Sequence, residues 1–595
     1  MRDIMDGTTV GAVFATTVAA HADRPFLAVP ARSDRDYLPD GFEITYGAAA
    51  AEVDRLTAAY HAAGYRASHR VATLLENRPE YVLHKLALNT LGVCCVPINP
   101  DYRAGEIAYL LDHSEPDLVL TLAGRTHHIT LALEQASHRP PVVVAEDFDT
   151  ALEPPARRAE GTQPRPETPA SILYASGTTG RPKGCILSHG YEVATGAWYA
   201  ALPGIARLRP GRDRIYNPLP LYHANSGVIS LFGTILSGNC QIQPDRFHPL
   251  RWWREIAETR ATVVHYLGII APLLLSQPPG EHERSHCVRF GIGAGIEPQL
   301  HQAFEQRFGF PMVEVWGMTE LARLLGDTVD PRQVGTRAFG HAVPGVEVRV
   351  VDDGGTDVPD GNPGEMLLRH SAATPRRGAF SGYLKDDAAT EASWQDGWFH
   401  TGDTVWRGAD GMLHFVDRKK NIIRRSGENI AAAEVEAMLL AHPDVQQAAV
   451  MAVKDDMREE EVLACVVLNR DLPAAGAASA LFEHCFERLA YYKAAGWIHV
   501  LSTLPTTGTQ KIQKLNIYAG GTDPRTAPRH HRPTRTQEAW LRVFAVGCEY
   551  FPYLTIIGIY GKRREVFAQH RPSHPAHRDT SPIAPGGIFP VAVRS

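Results

Sequence analysis

Between Ile44 and Thr121 the apolar positions switch repeatedly between two periods. Ile44–Tyr46 is a short extended run, and Ala48–Gly64 follows with Leu56, Tyr60 and Ala63 at helical spacing. Val71–Leu75 and Val93–Ile98 are apolar runs of strand length. Glu80–Leu91 and Glu106–His113 are segments of helical length, ahead of the run Leu118–Thr121. Strands alternating with helices predict an α/β fold, a parallel sheet covered by helices. Glu153–Thr168, rich in Pro, Arg and Glu, reads as a surface linker. The alternation resumes with strands near Ser171–Ala175, Arg214–Pro218, Thr262–Leu267 and Phe290–Ile292, and Gly and Pro turns then cut Val346–Arg369 into short strands. After Asp417 the pattern changes again, with helices over Glu434–Leu440 and Leu481–Leu489 and strands over Ala448–Val453 and Val462–Leu468. That is a unit of about 100 residues, a usual size for a small domain. From Gly520 onward Arg, His and Pro recur, and the apolar island Trp540–Tyr560 is interrupted by Arg542, Glu549 and Pro552. A weakly ordered tail is predicted there.

Composition narrows the class. A chain of 595 residues exceeds what one core supports, so more than one domain is expected. A hydrophobic fraction of 44% and a charged fraction of 21% exclude a disordered or collagen-like chain. The net charge of −6 provides no general field for nucleic acid. The eight cysteines form no C-x-x-C pair or zinc-finger spacing and read as buried apolar residues in a reduced, cytoplasmic setting. Gly11–Ala20 is preceded by Asp3 and Asp6 and reads as a helix start rather than a leader. No apolar run reaches the roughly 18 residues of a membrane helix.

The chemistry is concentrated in a few strings. Tyr174-Ala175-Ser176-Gly177-Thr178-Thr179-Gly180-Arg181-Pro182-Lys183-Gly184 joins a strand to a loop of small residues, hydroxyls and one lysine, a composition suited to phosphate oxygens. Four further strings follow in order: Val315-Trp316-Gly317-Met318-Thr319-Glu320; Gly397-Trp398-Phe399-His400-Thr401-Gly402-Asp403; Asp417-Arg418-Lys419-Lys420 with Ser426-Gly427-Glu428-Asn429-Ile430; and Leu504-Pro505-Thr506-Thr507-Gly508-Thr509-Gln510-Lys511. Singly, each has an ordinary reading as a turn, a helix start or a solvated charge cluster. Together they resemble the motif set of the adenylate-forming superfamily, which includes acyl-CoA synthetases, peptide-synthetase adenylation domains and beetle luciferases. The resemblance spans Thr8 to Leu515.

The resemblance implies a large N-terminal adenylate-forming domain over 1–416, with parallel sheets, covering helices and a small β subdomain. A hinge at 417–420, a small α+β C-terminal domain over 421–518 and a tail over 519–595 complete the chain. It implies that Thr178, Thr179 and Lys183 bind nucleotide phosphates, and that Gly293, Ala294, Gly295, Trp316 and Gly317 wall the adenine site. Thr319 would hydrogen-bond the α-phosphate, Glu320 would hold Mg²⁺, and Asp403 and Arg418 would take the ribose and phosphate. Lys511 would bridge the substrate carboxylate and the α-phosphate, with Lys514 as the second candidate. Lys420 is the implied hinge residue, and Ser426, Gly427 and Glu428 form the implied CoA side. His223, in Pro220-Leu221-Tyr222-His223-Ala224-Asn225, stands where acyl- and aryl-CoA ligases carry an aromatic or His beside the carboxylate. Tyr222–Ser230 contains no acid to pair a substrate ammonium, which argues against an amino-acid substrate. Gln510 stands where the family commonly has Gly.

The implied reaction is carboxylic acid plus ATP giving acyl-AMP and pyrophosphate, then acyl-AMP plus CoA giving acyl-CoA and AMP. ATP, Mg²⁺, CoA and a small-molecule acid are the expected partners, with no nucleic acid and no membrane span. Arg307–Gly309, Trp316–Glu320 and Gly326-Asp327 resemble the carnitine/crotonobetaine-CoA ligase branch, which makes a short or medium, polar acid the first expectation, with a fatty acid, as in the fatty-acid-CoA ligases, close behind. Two alternatives stay open here: a free-standing adenylation protein that loads a separate carrier protein, and a nucleotide-binding protein without turnover.

Overall fold

The computed structural model describes residues 8–159, 163–175, 182–268, 270–296, 298–418, 422–470 and 472–505, with 512, 514, 517, 518, 530 and 531. Residues Met1–Glu538 form one compact unit. The helix predicted from Ala48 runs over Tyr46–Ala63. Thr45 caps it by accepting the Ala48 N–H, and Gly64 ends it at φ +103°, a conformation that glycine adopts at little cost. It buries Tyr46, Ala49, Val53, Leu56 and Tyr60, one face at spacings of three and four. The segment Gly11–Ala20 lies within a helix over Val10–His21, as its reading required.

Among the described residues the strands form four sheets. The first runs Gly382–Tyr383, Lys183–Ser188, Pro169–Ala175, Cys94–Pro97, Arg70–Leu74, Leu118–Thr121 and Val142–Val144. Its core is parallel, and Lys183–Ser188 turns back antiparallel on Pro169–Ala175. The second runs Leu321–Gly326, Met312–Met318, Phe290–Ala294, Val263–Leu267, Arg214–Tyr216, Cys240–Ile242, Pro25–Val29 and Phe42–Thr45, parallel except for a hairpin at each edge. The third is antiparallel and contains Glu347–Val351, Gly364–Arg369, Trp394–Gln395, Trp398–Arg407 and Leu413–Arg418. The fourth begins at Ile422–Arg425, so the implied hinge lies where the chain leaves one sheet for another. Its remaining strands are Glu428–Ala431, Val445–Asp455, Glu459–Leu468, Trp497–Leu501 and His530–His531, and the helices Ala432–Leu440 and Ala474–Arg488 accompany them. His530–His531, inside the tail expected from 519, pairs with Ile498 and His499; the island Trp540–Tyr560 lies outside the described residues.

Between the first two sheets lies a polar cluster with almost no exposure. Lys85 Nζ donates to Glu192 Oε1 at 2.9 Å and to Ser171 Oγ at 2.5 Å, and Ser171 in turn donates to the same carboxylate oxygen at 2.6 Å. Of the seven described cysteines, six are buried and Cys287 is exposed; all are free thiols. No described helix is long and apolar enough to cross a membrane.

Candidate active site

Met312–Met318 and Leu321–Gly326 form a tight hairpin in which Met318 pairs with Leu321, so Thr319 and Glu320 occupy its tip. Three contacts fix that tip. Tyr191 Oη donates to the Thr319 carbonyl at 2.8 Å, the Phe380 N–H donates to the Glu320 carbonyl at 2.9 Å, and Tyr383 Oη donates to Glu320 Oε1 at 2.8 Å. Tyr383 pairs with Cys185 on the strand that starts at Lys183. Lys183 Nζ lies 4.9 Å from the Tyr383 ring centre and 3.6 Å from Asp386. The implied phosphate-binding lysine and the implied metal ligand are therefore linked through one tyrosine.

Asp403 comes from the third sheet, where its backbone faces Arg418 across two antiparallel strands. Its buried Oδ2 accepts the Trp316 indole N–H at 2.8 Å. Trp316, implied as an adenine wall, therefore also holds the implied ribose ligand. The turn after Phe290–Ala294 needs its glycines: a Cβ on Gly293 would stand 2.1 Å from the Tyr266 carbonyl oxygen, and Gly295 has φ +87°. Glu314 anchors this turn by accepting the N–H groups of Gly295 and Ile296 and the Tyr266 hydroxyl. Burial pushes its carboxyl pKa up, while those donors pull it down. An acid inside the apolar run Met312–Met318 was a signal in the sequence; Tyr191 and Tyr383 carried none.

His223 precedes a wide helical turn over Asn225–Ser230. Asn225 Oδ1 lies 2.8 Å from His265 Nδ1, and burial pushes the His265 pKa down to about 3, so that ring is neutral. The C-terminal domain reaches this region with a two-residue hairpin turn. Ser426 has φ +53° and Gly427 φ +87°, the left-handed pair that matches strand twist in such turns. A Cβ on Gly427 would lie 2.4 Å from Leu267 Cδ1, so the turn is in close contact with the second sheet. Glu428 Oε2 lies 3.5 Å from His223 Nε2, within ion-pair range when the ring is protonated. Glu428 also bears on Asp101, whose carboxyl is pushed up to about 6 by burial and then by this second negative charge.

The structure thus brings Lys183, Thr319 and Glu320 together, Trp316 onto Asp403, whose backbone pairs with that of Arg418, and His223 onto Glu428. Gly317 is exposed beside Thr319. Thr178, Thr179, Lys420 and Lys511 lie outside the described residues, and Arg418 is placed by its backbone. Lys514 donates to the Val450 carbonyl at 2.9 Å and pairs with Glu436 at 2.6 Å, which ties it to its own domain.

The model of AMP-binding enzymes matches residues 14–384, and that of the AMP-binding enzyme C-terminal domain matches residues 434–511. The chain belongs to the AMP-binding enzyme family. Among relatives of this AMP-binding enzyme, the sulfoacetate–CoA ligase of Cupriavidus necator is 32% identical over 86% of this chain and 97% of its own. A crotonobetaine/carnitine–CoA ligase of Escherichia coli is 28% identical over 78% and 91%. A double mutant of the o-succinylbenzoate CoA synthetase of Bacillus subtilis, bound to a product analogue, superposes with a TM-score of 0.73 at 24% identity, covering 86% of this chain and 98% of that one.

For this AMP-binding enzyme, Asp403→Ala removes the acceptor of the Trp316 N–H. Together with the implied ribose contact, that loss weakens ATP binding by about 1–3 kcal/mol. Titration calorimetry showing unchanged ATP affinity removes Asp403 from the site.

Proposed function

We propose that the enzyme activates a short, polar carboxylic acid and runs its two half-reactions from two faces of the C-terminal domain. The activity itself is that of an acid–CoA ligase. The acid's oxygen attacks the α-phosphorus of ATP and pyrophosphate leaves; the CoA sulfur then attacks the acyl carbon, losing its proton, and AMP leaves. The first step forces two anions together, so fixed donors must meet the charge that collects on the phosphate. Thr319, Lys183 and Lys511 supply those donors, while Asp403 and Arg418 hold the ribose. Glu320 suits Mg²⁺, which favours one or two carboxylates with phosphate oxygens completing its shell. Its Oε1 is oriented by Tyr383, and no cluster of three acidic, His or Cys side chains competes for a metal among the described residues. When bound, Mg²⁺ would neutralise phosphate charge there.

The contact of Glu428 with His223 carries the two-face reading. The turn Ser426-Gly427-Glu428 that lies beside His223 carries no cationic side chain to join two anions, which supports assigning this face to the thiol step and the face that carries Lys511 to adenylation. The relatives named for sulfoacetate and for carnitine or crotonobetaine support a short polar substrate, and the acid-free segment Tyr222–Ser230 counts only against an amino-acid one. Pyrophosphate release across sulfoacetate, carnitine, crotonobetaine, crotonate, malonate, octanoate and palmitate tests this. Turnover centred on the short polar acids is expected, followed by thioester formation with free CoA. A preference for palmitate, or transfer only to a carrier protein, overturns it.

A further inference from the structure

Lys493 has 3% of its surface exposed and meets carboxylates from both domains. Its Nζ donates to Glu434 Oε1 at 2.7 Å and to Glu106 Oε1 at 2.6 Å. Glu434 is in the first turn of the helix Ala432–Leu440, in the same domain as Lys493. Glu106 is in the first turn of Ala104–Ser114, in the large domain. Burial disfavours the ammonium charge, but Glu106 and Glu434 more than offset it and hold the lysine protonated. Around the pair, Asn99 Nδ2 donates to Tyr492 Oη at 3.1 Å, Arg103 Nε donates to the Leu489 carbonyl at 3.4 Å, and Nζ lies 5.0 Å from the Tyr102 ring centre.

Glu106 is set before the other domain arrives, because its Oε2 accepts the Arg103 N–H at 2.9 Å and closes the start of its own helix. In the arrangement seen here the contact of Lys493 with Glu106 and the approach of the 426–428 turn to His223 occur together. Under the two-face reading, a rotation of the C-terminal domain would leave Lys493 with Glu434, in its own domain, and would break both of those contacts with the large domain.

We propose that Lys493 and Glu106 are positioning residues for thioester formation, their ion pair holding the C-terminal domain in the arrangement that presents Ser426, Gly427 and Glu428. This rests on the two-face reading above. The pair is suited to the task because it is nearly excluded from water and Lys493 keeps Glu434 as its partner within its own domain, so the bond to Glu106 is the part that ties the two domains.

Glu106→Gln tests it, because the amide oxygen still accepts the Arg103 N–H while the amide nitrogen offers Lys493 no acceptor. Spin labels at Leu250→Cys and Leu440→Cys, both exposed, report the distance between domains once Cys287 and Cys548 are replaced by Ser. With AMP and CoA present, the parent should populate one main distance and Glu106→Gln should move most molecules to another. Arg103→Ala, which keeps its backbone bond to Glu106, should shift the distribution the same way by less. Conversion of crotonyl-AMP and CoA to thioester should slow about ten-fold or more, the scale of one lost charge-assisted hydrogen bond. Pyrophosphate release with crotonate should change by less than about two-fold, well under that scale. Unchanged distances in both variants, or equal loss of both half-reactions without a change of distance, overturns the proposal. If the parent turns over none of the short acids, the substrate reading fails separately and the distance measurement alone decides this one.

Discussion

Lys511→Ala should abolish adenylate formation while leaving the conversion of supplied acyl-AMP and CoA to thioester nearly intact. The charge that Lys511 is implied to meet develops between the carboxylate and the α-phosphate. In the second half-reaction the phosphate ester is already formed and only leaves. Losing one positioned donor of this kind slows its step about 10²–10³-fold. Lys514 cannot substitute, because it is engaged with Glu436 and the Val450 carbonyl. Rapid-quench measurement of each half-reaction checks this. Equal slowing of both, at unchanged stability, removes Lys511 from the role.

The largest stability effect is expected at Lys85, far from any motif. Lys85→Met leaves the Glu192 carboxylate buried with only Ser171 as donor, and its Oε2 already has no partner. Breaking a buried pair in this way costs about 3–5 kcal/mol. The thermal midpoint and the soluble yield should both fall sharply. Lys85→Met with Glu192→Leu should recover much of the loss, since replacing both charges leaves no orphan. A single variant as stable as the parent shows that this pair contributes little.

These two residues mark what the sequence made legible. Lys511, Glu320 and Asp403 sit in strings whose order identified the chemistry, and the apolar periods placed Tyr46–Ala63, Pro79–Thr90 and Ala104–Ser114 to within about two residues, inside the usual margin for helix ends. Lys85 gave no such signal: in an amphipathic helix a lysine reads as solvent-facing, and only the stacking of two sheets against Pro79–Thr90 buries it. The antiparallel return of Lys183–Ser188 was likewise hidden, because a run bounded by glycine does not state the direction of its partner. Lys493 was hidden for a third reason. Its partner Glu106 is 387 residues away, and only the docking of two separately legible domains brings them together.

The order of strands in the second sheet also bears on how the chain is made. Pro25–Val29 finds its parallel neighbour in Cys240–Ile242, with Leu27 opposite Gln241 and Ala28 opposite Ile242. The Val10 N–H waits similarly for His189 Nδ1. At a synthesis rate of roughly 5–20 residues per second, the early hairpin leaves the ribosome about ten to forty seconds before its sheet can close. Through that interval Phe26, Leu27 and Val29 present an apolar strand edge to the cell. A nascent chain stalled before Cys240 therefore keeps that edge unpaired, the kind of surface that chaperones cover.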